Sequence, residues 1–182
     1  MNSLATWVLT LLTSLEPNTP WKGTYLDTAQ AFAEAAQSQP LFAGPDGSRR
    51  TAAVLISVAW FEGHFKQDAQ GDCDETDPKT GTCKRGSKPH SFCTFQIHES
   101  NFATYGVTKE QLLGDIRVCT ATALKIMKGS MQVCASMPLL DRLAWYTAGG
   151  DSVCRPNVKG RHRMTKAHWL FDHFPLRGDA NQ

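Results

Sequence analysis

Apolar residues recur at helical spacing over the first third of the chain, and three helices are predicted there. The segment 4–15 is predicted to be a short helix that ends at "EPNTP", because two prolines cannot continue a helix. Residues 24–38 are rich in alanine and place their apolar side chains on one helical face. From about residue 49 to residue 61 the chain is apolar on nearly every side, which is typical of a helix buried inside a domain.

The middle of the chain is polar and lacks a regular period. Residues 68–90 carry Gly, Asp, Lys and Pro and follow neither a helical nor a strand pattern, so they predict a long excursion over the surface. "SFCTFQIH" then alternates and predicts one short strand, with Phe92, Thr94 and Gln96 on the same side. Further helices are predicted at about 99–104, 108–113, 115–129, 138–147 and 160–173.

Together these elements predict one mostly helical α+β domain with a central buried helix and a small β element. It spans residues 1–182, with 1–45 as an N-terminal helical extension and 68–91 as a cysteine-bearing loop insertion. The N-terminal "MNSLATWVLTLLTSL" lacks the Lys or Arg that opens a secretion signal and is too short to span a bilayer. It predicts an amphipathic helix packed on the core, and no stable membrane insertion is expected.

The charge balance of 19 basic and 17 acidic residues gives no reason to expect a nucleic-acid partner, because such proteins usually carry a basic excess. One local bias occurs near the C-terminus, where Lys, Arg and His cluster between Arg155 and His168. This cluster is interpreted as a solvated face, in preference to a contact with an anionic polymer.

The cysteine pattern favours disulfides in an oxidising compartment. The chain has six cysteines, an even number, at positions 73, 83, 93, 119, 134 and 154. Their pairing is open, but Cys73 with Cys83 is the first expectation, because it would close a polar loop that has little apolar content. Zinc binding by Cys73, Cys83, His90 and Cys93 is disfavoured, since no short Cys-x-x-Cys spacing occurs among them.

These disulfides predict an extracytoplasmic location, in the periplasm, secreted or on a virion. No clear signal peptide accompanies them, so either the chain is a mature or trimmed form or it leaves its cell by another route, such as lysis.

One carboxylate closes the most apolar helix, in the stretch "AWFEGHF". A charge in such surroundings costs several kcal/mol unless it is paired, hydrogen-bonded or protonated. Trp60, Phe61 and Phe65 flank Glu62 in sequence and are expected to exclude water and raise its pKa. A carboxylic acid that stays protonated near neutral pH is what cleavage of a glycosidic bond requires. The alternative is a helix-end glutamate that faces solvent.

Three short segments in order, "AWFEGHFKQDA", "SFCTFQIH" and "LAWYTAGG", resemble the soluble lytic transglycosylase and goose-type lysozyme group. In that group an apolar helix ends in Glu-Ser, a Gly-Leu-Met-Gln-Ile turn and strand follow, and a helix ends in Tyr-Asn-Ala-Gly. The resemblance covers residues of about 50–150 and implies a lysozyme-like domain.

The resemblance also implies roles for individual residues. Glu62 matches the catalytic glutamate, and the expected glycan contacts are Phe95, Gln96, Ile97, Tyr146 and Thr147, with Ala148 and Gly149 completing the third motif. Five positions depart from the group: Gly63 replaces serine, Cys93 and Thr94 replace Gly-Leu, Phe95 replaces Met, and Thr147 replaces Asn. For Gln96 and Tyr146 two interpretations stay open. Gln96 binds sugar or pairs with backbone, and Tyr146 orients Glu62 or is a core ring with its hydroxyl at the surface.

A hydrolase would need a second carboxylate to position water or to stabilise the oxocarbenium ion. The candidates lie in the excursion, at Asp68, Asp72, Asp74 and Glu75, of which Asp72 and Asp74 are predicted first. Each of them is also compatible with a solvated loop charge. The lack of an obvious partner favours the transglycosylase, in which one glutamate acts as acid and then base and the sugar 6-hydroxyl attacks to give a 1,6-anhydro product.

No metal or other cofactor is expected. His64 and His98 have no carboxylate or histidine at a supporting helical interval, such as occurs in a His-Glu-x-x-His motif. A Cys-His nucleophile is disfavoured, because the predicted disulfides leave no obvious free thiol.

The resemblance therefore implies cleavage of the β-1,4 bond between N-acetylmuramic acid and N-acetylglucosamine in peptidoglycan, with Glu62 as general acid and base. The expected partners are peptidoglycan glycan strands. Two alternatives stay open: a non-catalytic glycan-binding or structural protein on the same fold, with phage-tail or secretion-machinery partners, and a chitinase-type hydrolase.

Overall fold

The computed structural model describes residues 2–80, 82–148 and 154–176, and over these residues the mostly helical α+β fold is confirmed. The α-helices are α1 Ser3–Leu15, α2 Tyr25–Ser38, α3 Gly47–Gly63, α4 Phe102–Tyr105, α5 Lys109–Gly114, α6 Ile116–Val133, α7 Ala144–Thr147 and α8 Val158–His173. The strands are β1 Gln70–Gly71, β2 Ser91–Phe92 and β3 Ile97–His98, and 3-10 turns occur at Lys22–Thr24, Glu99–Asn101 and Leu139–Asp141. No helix in the described ranges is long and apolar enough to cross a membrane.

Helix α3 runs through the centre of the core, as its apolar sequence predicts. Every residue from Thr51 to Ala59 is buried, and α1, α2 and α8 pack around it. Helices α1 and α2 also bury apolar side chains in this core, among them Trp7, Leu11 and Phe32. The segment predicted as an N-terminal extension therefore supports the central helix directly.

The β element is a three-stranded antiparallel sheet in the order β1-β2-β3. The prediction of one strand over "SFCTFQIH" is wrong, because the chain reverses between β2 and β3. Cys93 and Gln96 both have positive φ angles, of 60° and 49°, and the amide of Gln96 donates to the carbonyl of Cys93 at 2.9 Å. This tight turn pairs Phe92 with Ile97 across the sheet. Residues 93–96, here called the hairpin turn, therefore connect β2 to β3, and Cys93, Thr94 and Phe95 of the turn are buried.

All six cysteines form disulfides, Cys73–Cys83, Cys93–Cys119 and Cys134–Cys154. The first pair confirms the local closure predicted for the excursion. The second joins the hairpin turn to α6, so the four-residue zinc alternative at Cys73, Cys83, His90 and Cys93 is not assembled. The three bonds indicate an oxidising environment.

The C-terminal half differs from prediction at one helix. Helices α4, α5 and α6 match the predicted segments, and α5 begins with a capping box at Thr108 and Gln111. The predicted helix 138–147 is wrong as a continuous element, because it divides into a 3-10 turn and the short α7. The hydroxyl of Ser130 binds at this division, donating to the carbonyl of Arg142 at 2.8 Å and accepting from the amide of Tyr146 at 3.1 Å.

Candidate active site

Glu62 lies in the last turn of α3 and forms an ion pair with Arg163 of α8. Arg163 Nη2 is 2.7 Å from Glu62 Oε1, and Nε donates to the same oxygen at 2.9 Å. The two side chains are only 20% and 8% exposed. Within the described part of the chain, no hydrogen bond is made to Oε2. The glutamate is therefore held by one oxygen and keeps the other unpaired.

Arg163 is fixed by its own helix and by α3. Its Nη1 donates to the carbonyl of Lys159 at 2.8 Å, and Ser57 of α3 donates to the carbonyl of Arg163 at 2.7 Å. The interpretation of the C-terminal basic cluster as a solvated face is wrong for this residue. A signal was present in the sequence, because Arg163 occupies the helical stripe of the buried Gly160 and Ala167.

Burial raises the pKa of Glu62 above its usual range, and the positive charges of Arg163 and Lys159 oppose that rise. Asp72 adds to the rise through its negative charge. The predicted direction is the same, and burial, the predicted cause, makes the largest contribution.

The three aromatic residues expected to exclude water differ in position: Phe61 lies beside the site, with its ring centroid 5.4 Å from Cζ of Arg163, and the other two are engaged elsewhere. Phe65 is fully buried and packs edge-on against Tyr25 with ring centroids 5.9 Å apart. Trp60 donates to Glu16 Oε1 at 2.9 Å, and Phe61 stays 39% exposed. Residues that are adjacent on a helix point in different directions, so Trp60 and Phe65 face other parts of the molecule while Phe61 lies beside the partner of Glu62.

Glu62 opens onto a cleft of about 570 Å³. The cleft brings together all three motifs and every predicted glycan contact, and its wall consists of Glu62, Asp72, Phe95, Gln96, Ile97, His98, Ser100, Asn101, Ile126, Tyr146, Thr147, Ala148, Lys159 and Arg163. The motif residue Gly149 lies outside the described residues. Most of these side chains are polar or charged, and Phe95, Ile97 and Ile126 add apolar surface, so the cleft suits a ligand that is itself largely polar.

Tyr146 matches neither of its two predicted roles. Its hydroxyl donates to the carbonyl of Phe95 at 2.9 Å, so it fastens the hairpin turn to α7. Burial raises the pKa of Tyr146 well above its usual range, and the nearby negative charge of Glu62 contributes. The phenol therefore stays protonated and serves as a positioning donor.

Gln96 pairs with backbone and lines the cleft at the same time. Its Nε2 donates to the carbonyl of Cys93 at 3.0 Å. Its Oε1 lies directly over Gly71, where a β-carbon would collide with it. Glycine at position 71 therefore makes room for the amide in its observed orientation.

Gly63 lies where α3 meets the hairpin turn. A β-carbon at this position would lie 2.8 Å from both Cα and the carbonyl oxygen of Thr94. Backbone atoms on both sides leave little freedom to relieve such a contact. The departure from the serine of the resembled group thus has a steric reason, and only glycine fits this approach.

Of the two predicted second carboxylates, Asp72 lines the cleft. It accepts a hydrogen bond from the hydroxyl of Ser91, and its left-handed φ of 49° follows β1 directly. Asp74 is directed away, because its Oδ1 pairs with Nε2 of His90 at 2.7 Å. Asp72 therefore remains the candidate for a second acid, and Asp74 does not.

His90 links the excursion to the sheet. Its Nδ1 lies 2.8 Å from Glu99 Oε1, while its Nε2 contacts Asp74. Only an imidazolium can donate from both nitrogens, and the hydrogen bonds that His90 donates to Asp74 and, to a smaller extent, to Glu99 raise its pKa.

Thr147, the last predicted glycan contact, has its hydroxyl engaged by protein groups. It lies 3.0 Å from Oδ1 of Asn157 and 3.1 Å from the carbonyl of Leu143. Asn157 in turn caps α8 by accepting from the amide of Gly160 at 2.6 Å. The hydroxyl therefore connects the third motif to the helix that carries Arg163.

The described residues contain no group of three or more His, Cys, Asp and Glu side chains that could hold a metal ion. His64 contacts Glu16 at 2.8 Å, and His98 contacts the hydroxyl of Ser100 at 2.9 Å.

No protein-family model, curated protein or solved structure matches the chain. Its function is therefore inferred from the chemistry and geometry of the cleft residues.

Proposed function

We propose that this protein cleaves glycan strands of peptidoglycan at the β-1,4 bond after N-acetylmuramic acid, with Glu62 as the general acid. The observation that carries the proposal is a poorly exposed glutamate with a raised pKa in the wall of a large cleft. A glycosidic oxygen leaves readily only if it is protonated as its bond breaks, and such a group supplies that proton.

The hydrogen bonds of Glu62 support a defined position for this proton. Both Arg163 contacts go to Oε1, and an oxygen that accepts two N–H groups is a poor place for a proton. The acid form therefore carries its proton on Oε2, the oxygen without a partner among the described residues. After proton transfer the carboxylate is stabilised by Arg163, which favours the transfer.

The rest of the cleft suits a polar polymer with apolar faces. His98, Ser100 and Asn101 provide polar groups on one side, and Phe95 and Ile97 provide apolar surface. Sugar rings present hydroxyl and acetamido groups at their edges and C–H groups on their faces. This match supports a glycan as the ligand.

The position of Asp72 favours hydrolysis over the anhydro-forming reaction. A carboxylate that shares the cleft with the acid can position a water for attack at the sugar carbon. In a lytic transglycosylase the sugar 6-hydroxyl attacks instead and needs no second carboxylate. Mass spectrometry of muropeptides released from sacculi separates the two, because the anhydro product lacks one water.

The decisive variant is Glu62→Gln. The amide keeps the shape of the protonated acid and can still accept from Arg163, so the melting temperature should stay close to that of the wild type. Clearing of a cell-wall suspension should fall at least about a hundredfold, the usual contribution of a general acid. Glu75→Gln, at an exposed site outside the cleft, is the matched control and should keep full activity. An active Glu62→Gln variant would refute the assignment.

The Glu62–Arg163 pair also favours one alternative, a non-catalytic glycan-binding or structural protein. If the pair keeps the carboxylate ionised, the cleft binds sugar without a usable acid. Wild-type protein that binds purified sacculi and releases no muropeptides would support this alternative, and with it the expectation of phage-tail or secretion-machinery partners. A chitinase would instead digest chitin oligomers faster than peptidoglycan. All three functions suit an extracytoplasmic site in the periplasm, outside the cell or on a virion.

A further inference from the structure

The cleft contains two carboxylates, Glu62 and Asp72, and two cations, Lys159 and Arg163. They differ in whether another side chain binds the charged group. Arg163 is paired with Glu62, and Asp72 accepts from Ser91. Lys159 is exposed, lines the same cleft and forms no ion pair with any residue that the structure describes. It is therefore the cation of the cleft that remains available to a ligand.

The backbone of Lys159 is fixed relative to the acid. Its carbonyl accepts from Nη1 of Arg163 at 2.8 Å, and that arginine binds Glu62 through its other nitrogens. Lys159 also lies in the first turn of α8, one helical turn before Arg163. A ligand placed against Glu62 thus lies within the field of the Lys159 ammonium, which lowers the pKa of Glu62 as well.

We propose that Lys159 makes the cleft selective for glycans that carry a carboxylate, by pairing with that carboxylate while the adjacent sugar bond lies at Glu62. The proposal rests on the proposed function and adds a substrate class to it. A lysine and a carboxylate form a charge-assisted hydrogen bond that is stronger than a neutral one. A neutral N-acetylglucosamine polymer offers this lysine no such partner.

Two parts of a cell-wall strand could supply the carboxylate, the lactyl group of the muramic acid or the acidic residues of its peptide stem. Three substrates of equal chain length distinguish them: stem-free strands with free lactyl carboxylates, the methyl esters of those strands, and strands with intact stems. The acid and its ester differ in charge and by one methyl group. Their ratio of kcat/KM therefore isolates the electrostatic preference from any general effect on Glu62.

Wild-type protein should prefer one carboxylate-bearing substrate to the neutral ester by about tenfold, the scale of one charge-assisted hydrogen bond. Lys159→Ala should bring this ratio close to one, and Lys159→Arg should retain most of it. Lys128→Ala, at an exposed position of α6 outside the cleft, should keep the wild-type ratio. Salt should weaken the preference in the wild type and leave Lys159→Ala unaffected.

The outcomes separate the proposal from the proposed function. A preference for free lactyl strands or for stem-bearing strands that disappears in Lys159→Ala supports the proposal and identifies the source. The proposal is overturned if Lys159→Ala keeps the wild-type ratio of kcat/KM between acid and ester. It is also overturned if that ratio is one in the wild type for both acidic substrates. If the wild type cleaves no strand, the proposed function fails, and the affinities of wild type and Lys159→Ala for acid and ester strands then decide the role of Lys159 by the same criteria.

Discussion

Replacing Arg163 by Gln tests the central interaction of the candidate site. The variant removes the cation whose Nη2 and Nε lie 2.7 and 2.9 Å from Glu62 Oε1, and leaves a shorter, neutral polar side chain. The loss in free energy of unfolding should depend strongly on pH, because it is larger when Glu62 is charged.

The magnitude follows from the burial of the pair. Removing one partner of a buried ion pair costs about 3–5 kcal/mol, because the other charge is left uncompensated. Glu62 is 20% exposed and can bind a proton, so we expect about 2–3 kcal/mol at about pH 8. At about pH 4, where Glu62 is protonated in both proteins, only hydrogen bonding is lost, and about 1 kcal/mol is expected.

The sign of the pH dependence is fixed by the raised pKa of Glu62. A carboxyl whose pKa is raised on folding stabilises the native state below its unfolded pKa, and this contribution is lost as the pH rises through the folded pKa. Without the opposing charge of Arg163 the pKa of Glu62 rises further. The variant therefore loses more stability than the wild type as the pH increases.

The measurement is the free energy of unfolding in urea, followed by tryptophan fluorescence at both pH values. Glu62→Gln and the double variant Glu62→Gln/Arg163→Gln complete a double-mutant cycle. In the Glu62→Gln background, loss of Arg163 should cost the same at both pH values, because the titrating group is absent. An equal cost at both pH values in the wild-type background would refute the reasoning.

Two further predictions concern the hairpin turn. Gly63→Ser should lower the free energy of unfolding by about 1–3 kcal/mol, as in other overpacked sites, and Gly63→Ala should lose a similar amount; urea midpoints equal to that of the wild type would contradict the contact. Replacing Cys93 and Cys119 together by Ala should cost about 2–4 kcal/mol and slow the clearing of cell-wall suspensions, since the bond fixes the turn that carries Phe95 and Gln96. A variant that is folded by circular dichroism and fully active would show that the cleft does not need this bond.

The sequence was informative where the controlling interactions are local. The apolar period of α3 and the place of Glu62 at its end follow from a single segment, because helical spacing repeats within a few residues. Arg163 was missed because its partner lies 101 residues away. Its position on a buried helical stripe was visible, but nothing in the local pattern indicates which charge it meets.

Backbone conformation explains the errors in the β element. Alternation along "SFCTFQIH" suggested one strand, whereas the positive φ angles at Cys93 and Gln96 reverse the chain within it. Alternation records only which side chains are apolar, and it carries no information on left-handed residues. The sequence could not distinguish Asp72 from Asp74 as the second carboxylate. The features that distinguish them are the φ of 49° at Asp72 and the contact of Asp74 with His90, and alternation reveals neither.

The close approach at Gly63 bears on how chains with this helix and hairpin are recognised from their sequences. A search pattern that demands a hydroxyl-bearing residue directly after the acid rejects every chain in which the hairpin backbone comes this near to the helix end. Glycine at this position reflects the short spacing between helix and hairpin in this chain, and it says little about whether a glutamate precedes it. A pattern that accepts serine or glycine at this position, and requires the helix before it and the turn after it, would recognise more such chains.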